Sequence, residues 1–408
     1  MTGIKVAPLK DTEVFQPIKL GQNSLSNRII FAPSTRFRAL EDHTPSDLQY
    51  EYYDKRSKYP GSLITTEATF VSEQGGGYPR IPGIWNEKHA QAWKKITDRV
   101  HQNGSFIACQ FWYLGRVAFP GYLKEHGLDL IAPSAVYENE QTEKAAKEAG
   151  NPLRELKDEE IDRLIDEEYP NAARQALAAG FDYIEIHSAH GYLLDQFLQP
   201  VTNRRSGKYG GSIENRARPV LALVDRLTEI VGSHRLGIRI SPWAKFQGMK
   251  AEEDSVHPLA TFSYLVHELQ KRANAGKELA YISLVEPRVQ GNLSVEESKQ
   301  VGNNSFVRQI WKGNLIRSGA YANDAPDLKL LRRDIEDKKT LIGFSRYYIS
   351  NPDLVNRLKE GYELTPYDRP TFYSYSNWGY NTYSHYGEEN NFKKDIEVER
   401  LAKEIGTL

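Results

Sequence analysis

Cysteine is nearly absent from this chain: Cys109 is the only one among 408 residues, so no intrachain disulfide can form. A lone thiol fits a reducing compartment better than a disulfide-stapled secreted scaffold. Neither sign of charge dominates. The 53 Lys and Arg meet 54 Asp and Glu for a net −1, with no block of like charge, which argues against nucleic acid or an anionic membrane as a partner. Apolar runs are short. None approaches the ~20 residues that cross a bilayer, and the stretch Met1–Lys10 has no apolar core of the kind a signal peptide carries. The closing Gly-Thr-Leu is neither a prenylation nor a retention signal. No internal sequence repeat is evident. These absences lead to the expectation of a cytoplasmic protein with neither membrane nor nucleic acid as partner.

What is present is apolar material for a sizeable core, 39% of the residues, and many aromatic rings, with 24 Tyr, 15 Phe and 6 Trp. So many tyrosines suggest a stacking pocket; a tyrosine-rich surface is the plainer alternative. A pattern recurs in which a short apolar run precedes an amphipathic stretch. Eight runs, at residues 28–33, 63–67, 106–112, 183–187, 237–242, 281–287, 315–319 and 341–345, are rich in Ile, Val, Leu, Phe and Tyr. They lack sustained polar alternation, as strands buried on both faces should. Stretches with helical apolar spacing separate them, at 47–59, 87–103, 158–179, 218–231, 261–275, 305–311, 325–337 and 352–359. Gly104, Gly180, Gly232 and Gly276 stand where left-handed caps belong, Pro352 stands near a helix start, and Pro170 falls inside a helical pattern, where a kink is expected.

Eightfold strand–helix alternation predicts an α/β protein, a single (β/α)8 TIM barrel over residues 1–408 with a C-terminal tail from about residue 370. An open α/β sheet shares the periodicity, but no nucleotide-type glycine loop follows the first strand. Insertions at 115–157, 246–260 and 288–304 lengthen the loops after strands three, five and six. Those loops lie on the face where barrels build active sites. The Tyr-, Ser- and Asn-rich tail is expected to pack over the barrel mouth or against a second copy in a homodimer.

The stretch Ile184–Leu194, Ile-Glu-Ile-His-Ser-Ala-His-Gly-Tyr-Leu-Leu, carries the most chemistry. Its strand ends near His187, so His187, His190 and Tyr192 leave the barrel together on that face. Two imidazoles can hydrogen-bond a carbonyl or phenolate oxygen, and a neighbouring phenol can give a proton to a forming enolate. Two other readings stay open: structural histidines of a loop, or two ligands of a metal. Zinc wants a third ligand, and the loop offers only Ser188 and Asp195.

His187-x-x-His190-x-Tyr192-Leu-Leu-Asp-Gln-Phe-Leu, followed by Tyr209-Gly-Gly-Ser-Ile-Glu-Asn-Arg216, resembles the signature of the old yellow enzyme family. The resemblance continues in order through Asn27-Arg28, Pro33-Ser-Thr35, Thr66-Glu67, Gln110-Phe-Trp112, Gly237-Ile-Arg239-Ile-Ser-Pro242, Leu284-Val-Glu-Pro287, Ile316-Arg-Ser-Gly319 and Ile342-Gly-Phe-Ser-Arg346. It runs from about residue 12 to about residue 385 and is nearest the yeast branch, through Thr35, Phe372-Tyr373 and the long loops.

The resemblance implies an FMN-containing barrel that takes electrons from NADPH, or NADH, and reduces the C=C bond of α,β-unsaturated ketones and aldehydes. It places the cofactor against Pro33, Thr35, Ala68, Gln110, Arg239, Gly319, Gly343, Ser345 and Arg346. Arg346 and the Gly319 loop would hold the phosphate, since barrels bind phosphate after strands seven and eight and a guanidinium matches it. Arg239 would stand by the flavin N1–O2 edge, where reduction places negative charge. Gln110 would read the pyrimidine edge, and Thr35 would hydrogen-bond near O4 and N5. Taken singly, an arginine in a strand is more often an ion-paired structural residue. Ala68 and Ser345 stand where glycine is usual, and a tight left-handed turn at Ser345 would be disfavoured. The implied substrate pocket is aromatic, walled by Trp112, Tyr78, Phe246, Phe372 and Tyr373, with Gln247 where relatives carry Asn. Any one of these rings alone would be read as core.

By the same resemblance, an enone follows the nicotinamide into the pocket, His187 and His190 hold its carbonyl, hydride passes from flavin N5 to Cβ, and Tyr192 protonates Cα. A flavoprotein that chiefly binds phenols or steroids, with slow turnover, is the alternative from another class. Tyr192 argues for turnover, since binding alone needs no proton donor. A metal-dependent barrel hydrolase would need a carboxylate–histidine cluster at the strand ends, which is missing, and no metal is expected.

Overall fold

The computed structural model describes residues 3–291 and 293–406. Eight short strands line its centre: β1 Ile29–Phe31, β2 Leu63–Thr65, β3 Phe106–Trp112, β4 Tyr183–Ser188, β5 Leu236–Ile240, β6 Tyr281–Val285, β7 Leu315–Ser318 and β8 Thr340–Phe344. Each pairs in parallel with the next, and β8 returns to β1, so the barrel is closed. Nearly every strand residue is buried, because side chains facing the axis and those facing the helices are both covered. A hairpin, Ile18–Leu20 with Asn23–Leu25, plugs the N-terminal end, where Leu20 and Leu25 pack with Ile30, Leu63 and Tyr281.

The outer ring comprises α1 Asp47–Arg56, α2 Glu87–Gln102, α3 (Asp158–Arg163 and Tyr169–Ala178), α4 Ile213–Val231, α5 Pro258–Asn274, α6 Ser305–Ile310, α7 Lys329–Asp334 and α8 Leu354–Glu360. Local chemistry sets their starts. Ser46 and Gln49 form a reciprocal capping box on α1, and Asn86 caps α2 through His89 N at 2.8 Å. Three helices depart from the periodicity. The kink expected at Pro170 takes the form of a π turn, Leu164–Glu168, just before the segment that Pro170 helps to open. Proline has no N–H to continue the ladder, and a widened turn gives its ring room. α4 begins at Ile213, five residues before the apolar stripe, because Ser212 caps it there and Pro219 is carried inside. α7 is shorter than its stretch, since Leu328 at its start is left-handed (φ 52°) and ends any helical continuation from 325.

The insertion after β3 holds two short helices, Pro120–Glu125 and Glu140–Glu148, and the small ladder of Ile131–Ala132 with Arg154–Glu155. Its Leu123, Leu130, Ala132 and Ala146 pack behind Phe70 and Trp112 at the barrel mouth. The tail runs across the same mouth. Arg36 and Arg38, both fully buried, reach up to its carbonyl groups: Arg36 Nε and Arg38 Nη1 donate to Phe372 O at 3.1 and 2.8 Å, Arg36 Nη2 to Gly379 O at 2.8 Å, and Arg38 Nη2 to Thr371 O at 2.9 Å. Tyr380 of the tail stacks on Tyr52 of α1 with ring centres 4.1 Å apart. Among the described residues no helix is long and apolar enough to cross a membrane.

Candidate active site

A cavity of about 540 Å³ opens at the C-terminal ends of the strands. Strand register builds its floor, because residues paired on neighbouring strands share a level and alternate residues face the axis. Gln110 on β3 pairs with Glu185 on β4, His187 with Arg239 on β5, and Arg239 with Ser283 on β6. Gln110, His187 and Arg239 line the cavity. Glu185, two residues before His187, is buried beneath them and accepts a hydrogen bond from Gln110 Nε2 at 2.6 Å. Arg239 donates to Ser283 Oγ at 3.3 Å; burial pulls its guanidinium below the ordinary range, and the Glu185 carboxylate opposes that.

The loop after β4 turns on two left-handed residues, His190 (φ 58°) and Gly191 (φ 74°). That conformation is uncommon for a residue with a Cβ, and here it is pinned from both sides. His190 N donates to Ser241 Oγ at 2.8 Å, Gln247 Nε2 donates to His190 O at 2.7 Å, and Gly191 N donates to Asp195 Oδ2 at 2.9 Å. The turn brings His187, His190 and Tyr192 onto one wall. The His187 ring centre lies 5.9 Å from that of His190 and 5.0 Å from that of Tyr192, nearly perpendicular to it. His187 Nδ1 and His190 Nε2 are buried with no partner in the protein. Burial pushes both imidazoles down, His190 to about 3, and the charge of Arg239 acts the same way. Both rings are therefore neutral at pH 7, each with one N–H to donate. Burial pushes the Tyr192 phenol up, against the influence of the Gln247 amide, so it keeps its proton. Asp195, the carboxylate once open as a metal ligand, is taken up by Gly191 N and by Gln199 Nε2 at 2.8 Å. Among the described residues no group of three or more His, Cys, Asp or Glu is gathered as a metal set.

The opposite side is lined by Pro33, Thr35, Ala68, Gly319, Gly343, Ser345 and Arg346. A Cβ on Gly343 would collide with Ser318 Oγ, a buried hydroxyl with no partner. Ser345 has φ −108°, so the left-handed turn that would disfavour serine is not required, and its Oγ lies 2.5 Å from Ser34 Oγ. Arg346 donates to Ser294 Oγ at 2.8 Å and to Tyr367 OH at 3.3 Å and, among the described residues, pairs with no carboxylate. A thin glycine rim, an orphaned hydroxyl and a guanidinium free of carboxylates stand at one end; an oriented amide and a buried guanidinium stand at the other. Together they fit a flat ring with polar edges and a phosphate-bearing arm, as FMN has.

Aromatic rings enclose the remainder. Trp112 lies 4.8 Å from Tyr192 and 5.8 Å from Tyr78, ring centre to ring centre, and Tyr78 OH donates to Val117 O at 2.8 Å. Phe246 lies 6.4 Å from His190, while Phe372, buried, and Tyr373, half exposed, form the roof held by Arg36 and Arg38. Gln247 is placed differently from the substrate contact expected of it. It does not line the cavity and instead holds the His190 carbonyl. Phe37 and Phe119 line the mouth without having been anticipated. Phe37 sits between the two clamp arginines, a signal of sorts; Phe119 lies in the insertion, where no local pattern marks it.

The sequence pattern of the NADH:flavin oxidoreductase / NADH oxidase family matches residues 13–365. A probable NADPH dehydrogenase of Candida albicans is 58% identical over 382 residues, covering 93% of each chain. Enoate reductase 1 of Kluyveromyces lactis is 46% identical, over 93% of this chain and 96% of its own. The crystal structure of Old Yellow Enzyme from a Pichia species superposes with a TM-score of 0.92 at 46% identity, over 98% of this chain and all of that one.

Proposed function

From the premise that the chain belongs to the NADH:flavin oxidoreductase / NADH oxidase family, as an FMN-dependent NADPH dehydrogenase of the old yellow enzyme kind, we propose that it reduces the C=C bond of α,β-unsaturated ketones and aldehydes. One observation carries this reading: His187, His190 and Tyr192 share one wall of a cavity closed by aromatic rings, where burial pushes both imidazoles down and the phenol up. FMN, when bound, supplies the hydride it has drawn from NADPH. Gln110, Arg239 and Thr35 would hold its ring, and Gly319, Gly343, Ser345 and Arg346 its phosphate. His187 and His190 donate to the substrate carbonyl oxygen, and these bonds strengthen as negative charge gathers there; one such donor contributes about 3 kcal/mol in comparable oxyanion sites. Tyr192 delivers its proton to Cα. Trp112, Tyr78, Phe246, Phe372 and Tyr373 orient the alkene and exclude water.

The same two imidazoles would bind a phenolate. A phenol- or steroid-binding flavoprotein needs no proton donor, however, and Tyr192 stands on the cavity wall. The test has two parts. The purified protein is titrated with a para-substituted phenol and watched for a long-wavelength band, and the NADPH-reduced protein is mixed anaerobically with an enone. Phenol binding without reoxidation by any enone would overturn the reductase reading.

A further inference from the structure

The carboxylate of Glu185 takes no part in the chemistry above, yet it lies buried at the centre of the barrel, 1% exposed, under two floor residues of the cavity. Gln110 Nε2 spends a hydrogen on it, which leaves the amide oxygen of Gln110 as the end free to face the cavity. Arg239, which is on the neighbouring strand and lines the same floor, feels Glu185 as its opposing carboxylate. Tyr281 also faces Glu185, and its ring crosses Gly237, where a Cβ would collide with it. A guanidinium does not give up its proton in a protein, and a buried one without a counter-charge is costly. Glu185 is the carboxylate that acts on it; burial pushes the Glu185 carboxyl up, and Arg239 and the Gln110 amide oppose that.

We propose that Glu185 is a positioning residue that sets the reduction potential of the bound flavin, by offsetting part of the charge of Arg239 and by holding the Gln110 amide with its oxygen toward the ring. The inference rests on FMN lying over this floor. Reduction puts negative charge on the ring; Arg239 favours that charge and Glu185 opposes it. The role is not catalytic, because Glu185 does not line the cavity.

The FMN content of the parent protein is measured first and tests the cofactor separately. The midpoint potential of the holoenzyme is then measured by dye-coupled reductive titration. Glu185→Gln keeps the size and an acceptor for Gln110 but drops the charge. It is expected to favour the reduced flavin over the oxidised by about tenfold, an upward shift of about 30 mV for a two-electron couple. Glu185→Asp keeps the charge and is expected to return the potential most of the way to the parent value. An unchanged or lowered potential in Glu185→Gln overturns the proposal, as does an Asp variant that behaves like Gln. A Gln variant that fails to fold leaves a measurement on the parent, the infrared difference spectrum on flavin reduction with isotope-labelled glutamate. A carboxylate band that moves on reduction supports the assignment; a protonated carboxyl, or no glutamate signal, overturns it.

Discussion

Tyr192→Phe removes one oxygen and separates proton delivery from everything else the site does. The ring stays, so its contacts with Trp112 at 4.8 Å and His187 at 5.0 Å are kept. Losing a hydroxyl at a cavity wall should change stability by no more than about 1 kcal/mol. The two imidazoles still meet the carbonyl oxygen, so phenol affinity should stay near that of the parent, and NADPH should reduce the flavin at a similar rate. The enone half-reaction loses its general acid, a factor of about 100 to 10,000, or roughly 3–5 kcal/mol of barrier. Nitroalkenes should suffer less, because hydride transfer to a strongly activated alkene can outrun protonation. A second check uses pH. Burial holds the Tyr192 phenol above its ordinary pKa of about 10, so the acid form persists and the parent's enone rate should show no tyrosine limb below about pH 9. Stopped-flow measurement of both half-reactions decides the matter. If Tyr192→Phe reduces enones as fast as the parent, or if the parent loses activity with an apparent pKa near 8, Tyr192 is not the donor.

Gln247→Leu removes the 2.7 Å bond that holds the His190 carbonyl; phenol affinity should fall about fivefold, the equivalent of ~1 kcal/mol, and an unchanged spectral titration would show that the Ser241 and Asp195 bonds suffice to fix the loop. Asp195 is buried and its carboxyl is pushed up to about 7, so its stabilising effect is present below the ordinary carboxylate pKa and is lost as pH rises through about 7. Asp195→Asn should therefore gain on the parent between about pH 5 and pH 8, by an amount on the order of 2–4 kcal/mol; denaturant titrations at both pH values that show the same difference would refute that ionisation cost.

The barrel was legible because each strand is buried on both faces and so reads as a largely apolar run without sustained polar alternation, and eight such runs coincide with β1 to β8. Helix starts were less legible where a polar first turn precedes the apolar stripe, as Ile213–Ala217 does on α4, because hydroxyl capping rather than apolar spacing sets the start. Gln110 and Arg239, inside their strands, were placed on the cavity only through the family resemblance, whereas His187, at the end of its strand, could be placed there from position. Phe372 and Tyr373 could not, since what holds the tail over the mouth is a set of carbonyl groups accepting from Arg36 and Arg38. Any residue provides such a carbonyl, so no side-chain pattern announces the contact. Glu185 is a different case. A carboxylate inside an apolar run must find a cation or donors, because it cannot be buried alone, and Gln110 and Arg239 on the adjacent strands are both plain in the sequence. What is missing there is register. A shift of one residue along β4 would turn Glu185 from the axis toward the helices, and only the pairing of Gln110 with Glu185 and of Arg239 with His187 brings the three polar groups to the same place.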